Sequence, residues 1–231
     1  MAESGVPIPP RLTRNAQRTT ISMTPADPAE IDRLLAEHWP DAACELPTRD
    51  PWTLLVAVIL SARTTDVQVL KAMAVLDEHL LGVAAYAELD PREIEPLMRH
   101  LPLFRQKSRA VIECARAVLR RGGIVPTSLE ELAHLPGVGR KTACVVAGNA
   151  FGVPAVGADT HVCRIAHRLG WTAEESPRDA ERAVMDRLPP GRWVQGCHQF
   201  IRLGREFCKR VKPKCEVCPM ADTCPKQDVL P

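Results

Sequence analysis

The chain has 231 residues, is 45% hydrophobic, and carries 30 Lys and Arg against 28 Asp and Glu. That length buries a real core, in one domain or two small ones, and the ordinary apolar content excludes a disordered or fibrous chain. The longest apolar run, LLVAVIL at 54–60, falls far short of the roughly 20 residues a membrane-spanning helix needs, which excludes a helical membrane protein.

In chain order, residues 1–25 are rich in Pro, Thr and Arg and lack an apolar h-region. They read as a disordered tail and not as a secretory signal. DPAEIDRLLAEHW then opens a helix, with Asp27 as N-cap, Pro28 at the first helical position and Glu30 at the capping-box position. DPWTLLVAVILSA repeats the device with Asp50 and Pro51. It is apolar nearly all round, so it should be a central buried helix. TTDVQVLKAMAVLDEHLLG follows and should stop at Gly82. DPREIEPLMRH opens on Asp90, Pro91 and Glu93, and LFRQKSRAVIECARAVLRRGG should stop at Gly122 and Gly123. SLEELAHL is a short helix, followed by a glycine turn and KTACVVAGNAFG. DTHVCRIAHRLG has Asp159 as N-cap, SPRDAERAVMDRL has Ser176 and Pro177, and a last long helix runs from about Arg192 to Phe207. No alternating strand pattern and no tandem repeat occurs. The chain is all-α, with about ten helices.

The glycine turn is LPGVGRKT, in which Pro136 pre-sets one backbone angle. Gly137 and Gly139 are expected to supply positive φ and close approach. Successive amides in such a turn converge on an anion, and the next helix adds the partial positive charge of its N-terminus. A phosphate fits there without any side chain. The string resembles the hairpin of helix–hairpin–helix DNA-binding proteins. Lys141 follows at once, beside Arg140. A lysine set between a helix N-terminus and an arginine has two neighbours that disfavour its cationic form, and the neutral amine is the nucleophile. Asp159, eighteen residues on, stands at a helix entrance. A capping carboxylate there can also stabilise a cationic intermediate.

Of nine cysteines, Cys44, Cys114, Cys144, Cys163 and Cys197 are scattered through helical patterns and read mostly as small core residues. The other four, Cys208, Cys215, Cys218 and Cys224, fall within 17 residues. That density indicates a metal site whose ligation would supply the folding energy of a short polar tail. Zinc is the default for four thiolates and an iron–sulfur cluster the competitor, and spacing leaves both open. Two stretches concentrate positive charge. One is Arg202 to Lys214, including Lys209, Arg210 and Lys212. The other is Arg105 to Arg121. Such stretches suit a polyanion, although on their own they read more simply as solvated faces.

LPGVGRKTA, VGADTHVCR and the Cys-x6-Cys-x2-Cys-x5-Cys array occur in order, and together they resemble endonuclease III, a DNA glycosylase with associated lyase activity. LLVAVILSARTTDVQVLKA and LPLFRQKSRAVIECAR look like the family's upstream segments, so the resemblance spans roughly residues 27–225. It implies two all-helical domains flanking a DNA-binding cleft. These would be a six-helix barrel at 45–153, and a discontinuous domain of 26–44 and 154–231 that holds a [4Fe–4S] cluster. It implies Cys208, Cys215, Cys218 and Cys224 as cluster ligands, Lys141 as catalytic lysine and Asp159 as catalytic aspartate. The implied DNA contacts are Gly137, Val138, Gly139, Arg140, His161, Lys209, Arg210 and Lys212, with Leu103 as a wedge. Arg63 stands where the family has a gap-filling glutamine, Pro102 where it usually has glycine, and Cys144 where it usually has asparagine.

The implied activity is bifunctional. An oxidised pyrimidine is excised from duplex DNA, and the strand is cut 3′ to the abasic site by β-elimination through a lysine Schiff base. The alternatives are a monofunctional glycosylase that uses water and an iron–sulfur DNA-binding protein without catalysis. The expected partner is double-stranded DNA with oxidised pyrimidines or abasic sites. The expected state is a cytoplasmic monomer with no membrane contact, nucleoid-associated if bacterial.

Overall fold

The computed structural model describes residues 24–229. The tail expected at 1–25 lies outside the described residues except for its last two. Among the described residues there is no strand. The α-helices are α1 (Pro28–His38), α2 (Pro51–Leu60), α3 (Asp66–His79), α4 (Gly82–Ala87), α5 (Pro91–Ile94), α6 (Phe104–Leu119), α7 (Leu129–Ala133), α8 (Arg140–Phe151), α9 (Thr160–Arg168), α10 (Pro177–Arg187) and α11 (Trp193–Glu206). One-turn 3-10 helices occupy Glu95–Met98, Pro190–Arg192 and Cys215–Val217. None of the helices is long and apolar enough to cross a membrane.

The Asp-Pro starts form as their chemistry dictates. Asp50 accepts from the Thr53 amide at 2.8 Å. Asp90 completes a full capping box, its own amide donating to Glu93 Oε2 at 2.6 Å. Asp27 caps α1 through the Ala29 amide, but Glu30 does not close a box there. Its carboxylate is held instead by Arg33 at 2.8 Å. Two further local readings fail. Gly82 does not end a helix: α3 stops at His79, two extended leucines follow, and Gly82 opens α4. The helix expected through 90–100 breaks after Ile94 into a 3-10 turn, because Pro96 has no amide to continue the ladder.

Buried side chains form two clusters. The first gathers α2 to α8 around α2, in which every residue except Pro51 is buried. At roughly 1.5–3 kcal/mol for each buried Leu, Ile or Val, α2 is the strongest single anchor of this half. The second joins α1, at the start of the described chain, to α9, α10 and α11 through Ile31, Leu35, Ile165, Val184 and Phe200. The α7–α8 pair carries the glycine turn and rests on α6. Gly137 adopts φ +74°, and a Cβ there would stand 2.7 Å from Ala110 Cβ. Both conformation and space therefore demand glycine. Gly139 corrects the expectation for the pair. Its φ is −90°, and nothing lies within 4 Å of where a Cβ would stand. Glycine at 139 serves no φ requirement; it leaves an open space beside the turn.

Candidate active site and metal centre

Lys141 lies in the first turn of α8. It is exposed, and its amine makes no hydrogen bond or ion pair among the described residues. Asp159 caps α9. Both capping amides, of His161 at 2.8 Å and Val162 at 2.9 Å, donate to the same oxygen, Oδ1. Oδ2 takes no partner among the described residues and stays available. Lys141 and Asp159 line one cleft, together with Ser61 and Asp66. Gly157 makes this convergence possible, since a Cβ there would stand 2.8 Å from Val145 Cγ2. Lacking one, the segment before α9 presses directly on α8.

The turn offers the amides of Gly137 and Gly139, neither of which is hydrogen-bonded among the described residues, together with the orphan amides of α8's first turn. The Val138 amide is not among them: it closes the turn onto Leu135 O at 3.1 Å, and the Val138 side chain is buried. Arg140 reaches sideways to α10, where Glu181 holds its guanidinium at 2.6 Å. That pairing compensates the charge expected to act on Lys141. Arg63 and Leu103 share an unusual backbone, with φ of +56° and +59°, and both are exposed. Non-glycine residues in this region mark turns or functional strain. A bond from His100 Nε2 to Gln68 O, 3.2 Å long, ties the Leu103 loop to the helix that follows Arg63. His161 faces inward: its Nδ1 accepts from Arg164 Nη2 at 3.1 Å, and burial pushes its pKa down.

Much of the concentrated positive charge is structural. Arg116 donates to Ala87 O and Leu89 O, Arg121 pairs with Glu131, and Lys107 is buried. In the C-terminal stretch Arg210 pairs with Glu175, while Lys209 and Lys212 are exposed with no ion pair among the described residues.

Sequence reasoning missed two polar groups in the cleft. Arg205 of α11 joins Glu45 at 2.7 Å and Asp66. His198 Nε2 bonds Asn149 Oδ1 at 2.8 Å. Neither pair has a local signature, since its members lie 160 and 49 residues apart.

Cys208, Cys215, Cys218 and Cys224 line a single cavity walled by Phe207, Met220 and Val229. Arg168 pins the first loop, donating to Cys208 Sγ at 3.2 Å, Lys209 O at 2.7 Å and Arg210 O at 3.2 Å. The Lys226 amide points at Cys224 Sγ, 3.4 Å away. Burial pushes Cys224 up to about 11 and raises Cys218 as well. Thiolates there need a compensating cation. Yet no three Cys, His, Asp or Glu side chains among the described residues are arranged to hold one metal ion. Four sulfurs lining one apolar cavity supply the thiolate donor set that an iron–sulfur cluster takes. The other five cysteines are free, and all but Cys44 are buried.

Residues 56–190 match the model of the HhH-GPD superfamily of base excision DNA repair proteins. Residues 208–224 match that of the iron–sulfur binding domain of endonuclease III. The chain is similar to endonuclease III of Thermotoga maritima, with 38% identity over 76% of this chain and 83% of that protein. Its fold is similar to that of an endonuclease III in a non-covalent complex with DNA, with a TM-score of 0.82 at 38% identity, over 86% of this chain and 94% of that one. It is also similar to a trapped endonuclease III–DNA covalent intermediate, an estranged-adenine complex, with a TM-score of 0.81 at 38% identity, over 86% and 96%.

Proposed function

The chain belongs to the endonuclease III family of base-excision repair proteins, and from that premise we propose how its own residues carry the family's chemistry. The protein is a bifunctional DNA glycosylase and abasic-site lyase acting on duplex DNA with oxidised pyrimidines. It carries a [4Fe–4S] cluster, which acts as a structural pin; Cys208, Cys215, Cys218 and Cys224 would hold it.

Lys141 is the nucleophile. A damaged nucleotide leaves the stack at less cost than a sound one, and its sugar enters the cleft beside the free amine. The amine bonds to C1′ as the glycosidic bond breaks, and the bonding pair leaves with the base. Ring opening at O4′ gives the Schiff base. Loss of a C2′ proton then expels the 3′ phosphate, cutting the strand 3′ to the lesion. Asp159 Oδ2 takes the proton that the nitrogen sheds once the neutral amine has bonded to C1′, or stabilises the cationic sugar. The free amides of Gly137 and Gly139 grip a neighbouring phosphate, with Lys209 and Lys212 on a second. Arg63 and Leu103 enter the space the nucleotide leaves. The barrel at 45–153 and the cluster domain of 26–44 and 154–231 form the two walls. The protein works where the DNA is, in the cytoplasm and, if the source is bacterial, on the nucleoid.

The observation that carries this reading is the cleft shared by an unengaged amine and a carboxylate with one free oxygen. The test is borohydride reduction during turnover of a duplex containing thymine glycol. A covalent protein–DNA adduct supports the lyase; base release with neither adduct nor strand cleavage leaves a water-using glycosylase.

Asp159→Asn separates the two duties of this residue. Asparagine ranks with aspartate as an N-cap, so stability should fall by under about 1 kcal/mol, the charge–dipole share. Base excision should fall by about 10²–10⁴, the usual range for a positioned acid–base group. Asp159→Ala should match that loss of activity and lose about 1 kcal/mol more in thermal unfolding.

A further inference from the structure

Below Lys141 the cleft follows one face of α8 through Val145 to Asn149. Eight residues of helix span about 12 Å, roughly the length of a nucleoside. The far end is polar, and its polarity can be assigned atom by atom. Asn149 Nδ2 donates to the backbone carbonyl of Val145 at 2.8 Å. A carbonyl only accepts, so this bond fixes which way the amide faces. Asn149 Oδ1 must then point to His198 Nε2, 2.8 Å away. That oxygen also only accepts, so His198 carries its proton on Nε2. Burial pushes the His198 pKa down, against the upward pull of Glu45 and Asp159, which keeps the ring neutral. The remaining nitrogen, Nδ1, is therefore an acceptor. It has no hydrogen-bond partner among the described residues, unlike Nδ1 of His38 and His134, which bond to the carbonyl one helical turn back.

We infer that His198 Nδ1 reads the N3–H of the extruded base, making imide-type oxidised pyrimidines the preferred substrates. This rests on the glycosylase reading above. Flipped bases are read by hydrogen bonds to their pairing edge. Thymine glycol and dihydrothymine present an N–H at position 3. 5-Hydroxycytosine presents a lone pair there, which faces the Nδ1 lone pair with no proton between them.

The experiment measures single-turnover excision from otherwise identical duplexes bearing dihydrothymine, N3-methyldihydrothymine or 5-hydroxycytosine. Each rate is normalised to cleavage of a preformed abasic site by the same preparation, a substrate with no base to read. The wild-type enzyme should favour dihydrothymine over both others by about three- to tenfold, the worth of one neutral hydrogen bond. His198→Leu should collapse that preference. Asn149→Asp places a carboxylate against Nε2 and favours the doubly protonated ring, turning Nδ1 into a donor. The preference should then shift toward 5-hydroxycytosine, a reversal that loss of packing does not produce. Equal wild-type rates on the first two bases, or an unchanged preference in both variants, overturn the assignment. Failure of the wild-type enzyme to cleave the abasic site would overturn the lyase reading instead.

Discussion

Lys141→Gln should abolish strand cleavage and the borohydride-trapped adduct, with a loss of at least about 10³ in single-turnover rate, as expected when the nucleophile of a concerted site is removed. Glutamine keeps much of the length and polarity of lysine but has no nitrogen lone pair able to attack C1′. The stability of the variant should be unchanged or slightly higher. Lys141 is exposed and touches no partner among the described residues, so substitution falls within about 0.5 kcal/mol. A cation in the first turn of a helix is also mildly unfavourable, by about 0.3–1 kcal/mol at most. A protein that melts normally, binds lesion duplex and yet does not cut it is the expected phenotype. An adduct trapped with Lys141→Gln would move the nucleophile elsewhere. Base release persisting without cleavage would restore the water-using alternative.

The parts of this site that were legible in the sequence are those written locally. An Asp-Pro pair specifies its own helix start, because the cap acceptor and the preset φ act within three residues. The hairpin is legible because a turn needing positive φ at Gly137 and a helix beginning at Arg140 are adjacent in the chain. Local rules failed where a competitor stood nearby. Glu30 was claimed by Arg33, and the helix after Pro91 was cut by Pro96. Gly139 looked like Gly137 on paper, but only packing and φ show that the two glycines serve different ends. What the sequence did not disclose is tertiary. Arg205 meets Glu45 and Asp66, and His198 meets Asn149, because α11 crosses the cleft over α8, and no spacing in the chain encodes that crossing. Which residues of the basic stretches are paired was hidden for the same reason. Glu131 and Glu175, which neutralise Arg121 and Arg210, lie 10 and 35 residues away, and Lys107 turns inward.

Replacing one cluster ligand, as in Cys218→Ala, should cost more than about 4 kcal/mol, the range reserved for loss of a metal or an equivalent staple. The reason lies in what else holds the segment from Cys208 to Val229. Its only helical structure is the one-turn Cys215–Val217. Met220 is its one buried hydrophobic residue, and the Arg168 and His167 contacts grip only its two ends. Ordering some twenty residues costs about 1–2 kcal/mol each in backbone entropy, far more than one buried methionine and a few hydrogen bonds return. Ligation must supply the remainder. The variant should lose its iron and inorganic sulfide together. Trypsin should then cut after Lys209, Arg210 and Lys214, which the ligated loop presents in a fixed, resistant shape; the Lys212–Pro213 bond is not a tryptic site. Lesion-duplex affinity should fall with them, since Lys209 and Lys212 are positioned only by that loop. The α2-centred cluster of the first half contains no residue of the loop, so its helical signal should survive at temperatures where the loop is already cleaved. Cys44→Ala serves as the control: it is also a free, partly buried thiol, but it should keep full iron content and trypsin resistance. If Cys218→Ala retains iron, sulfide and an intact loop, the four-cysteine assignment fails, and with it the role given to the basic loop.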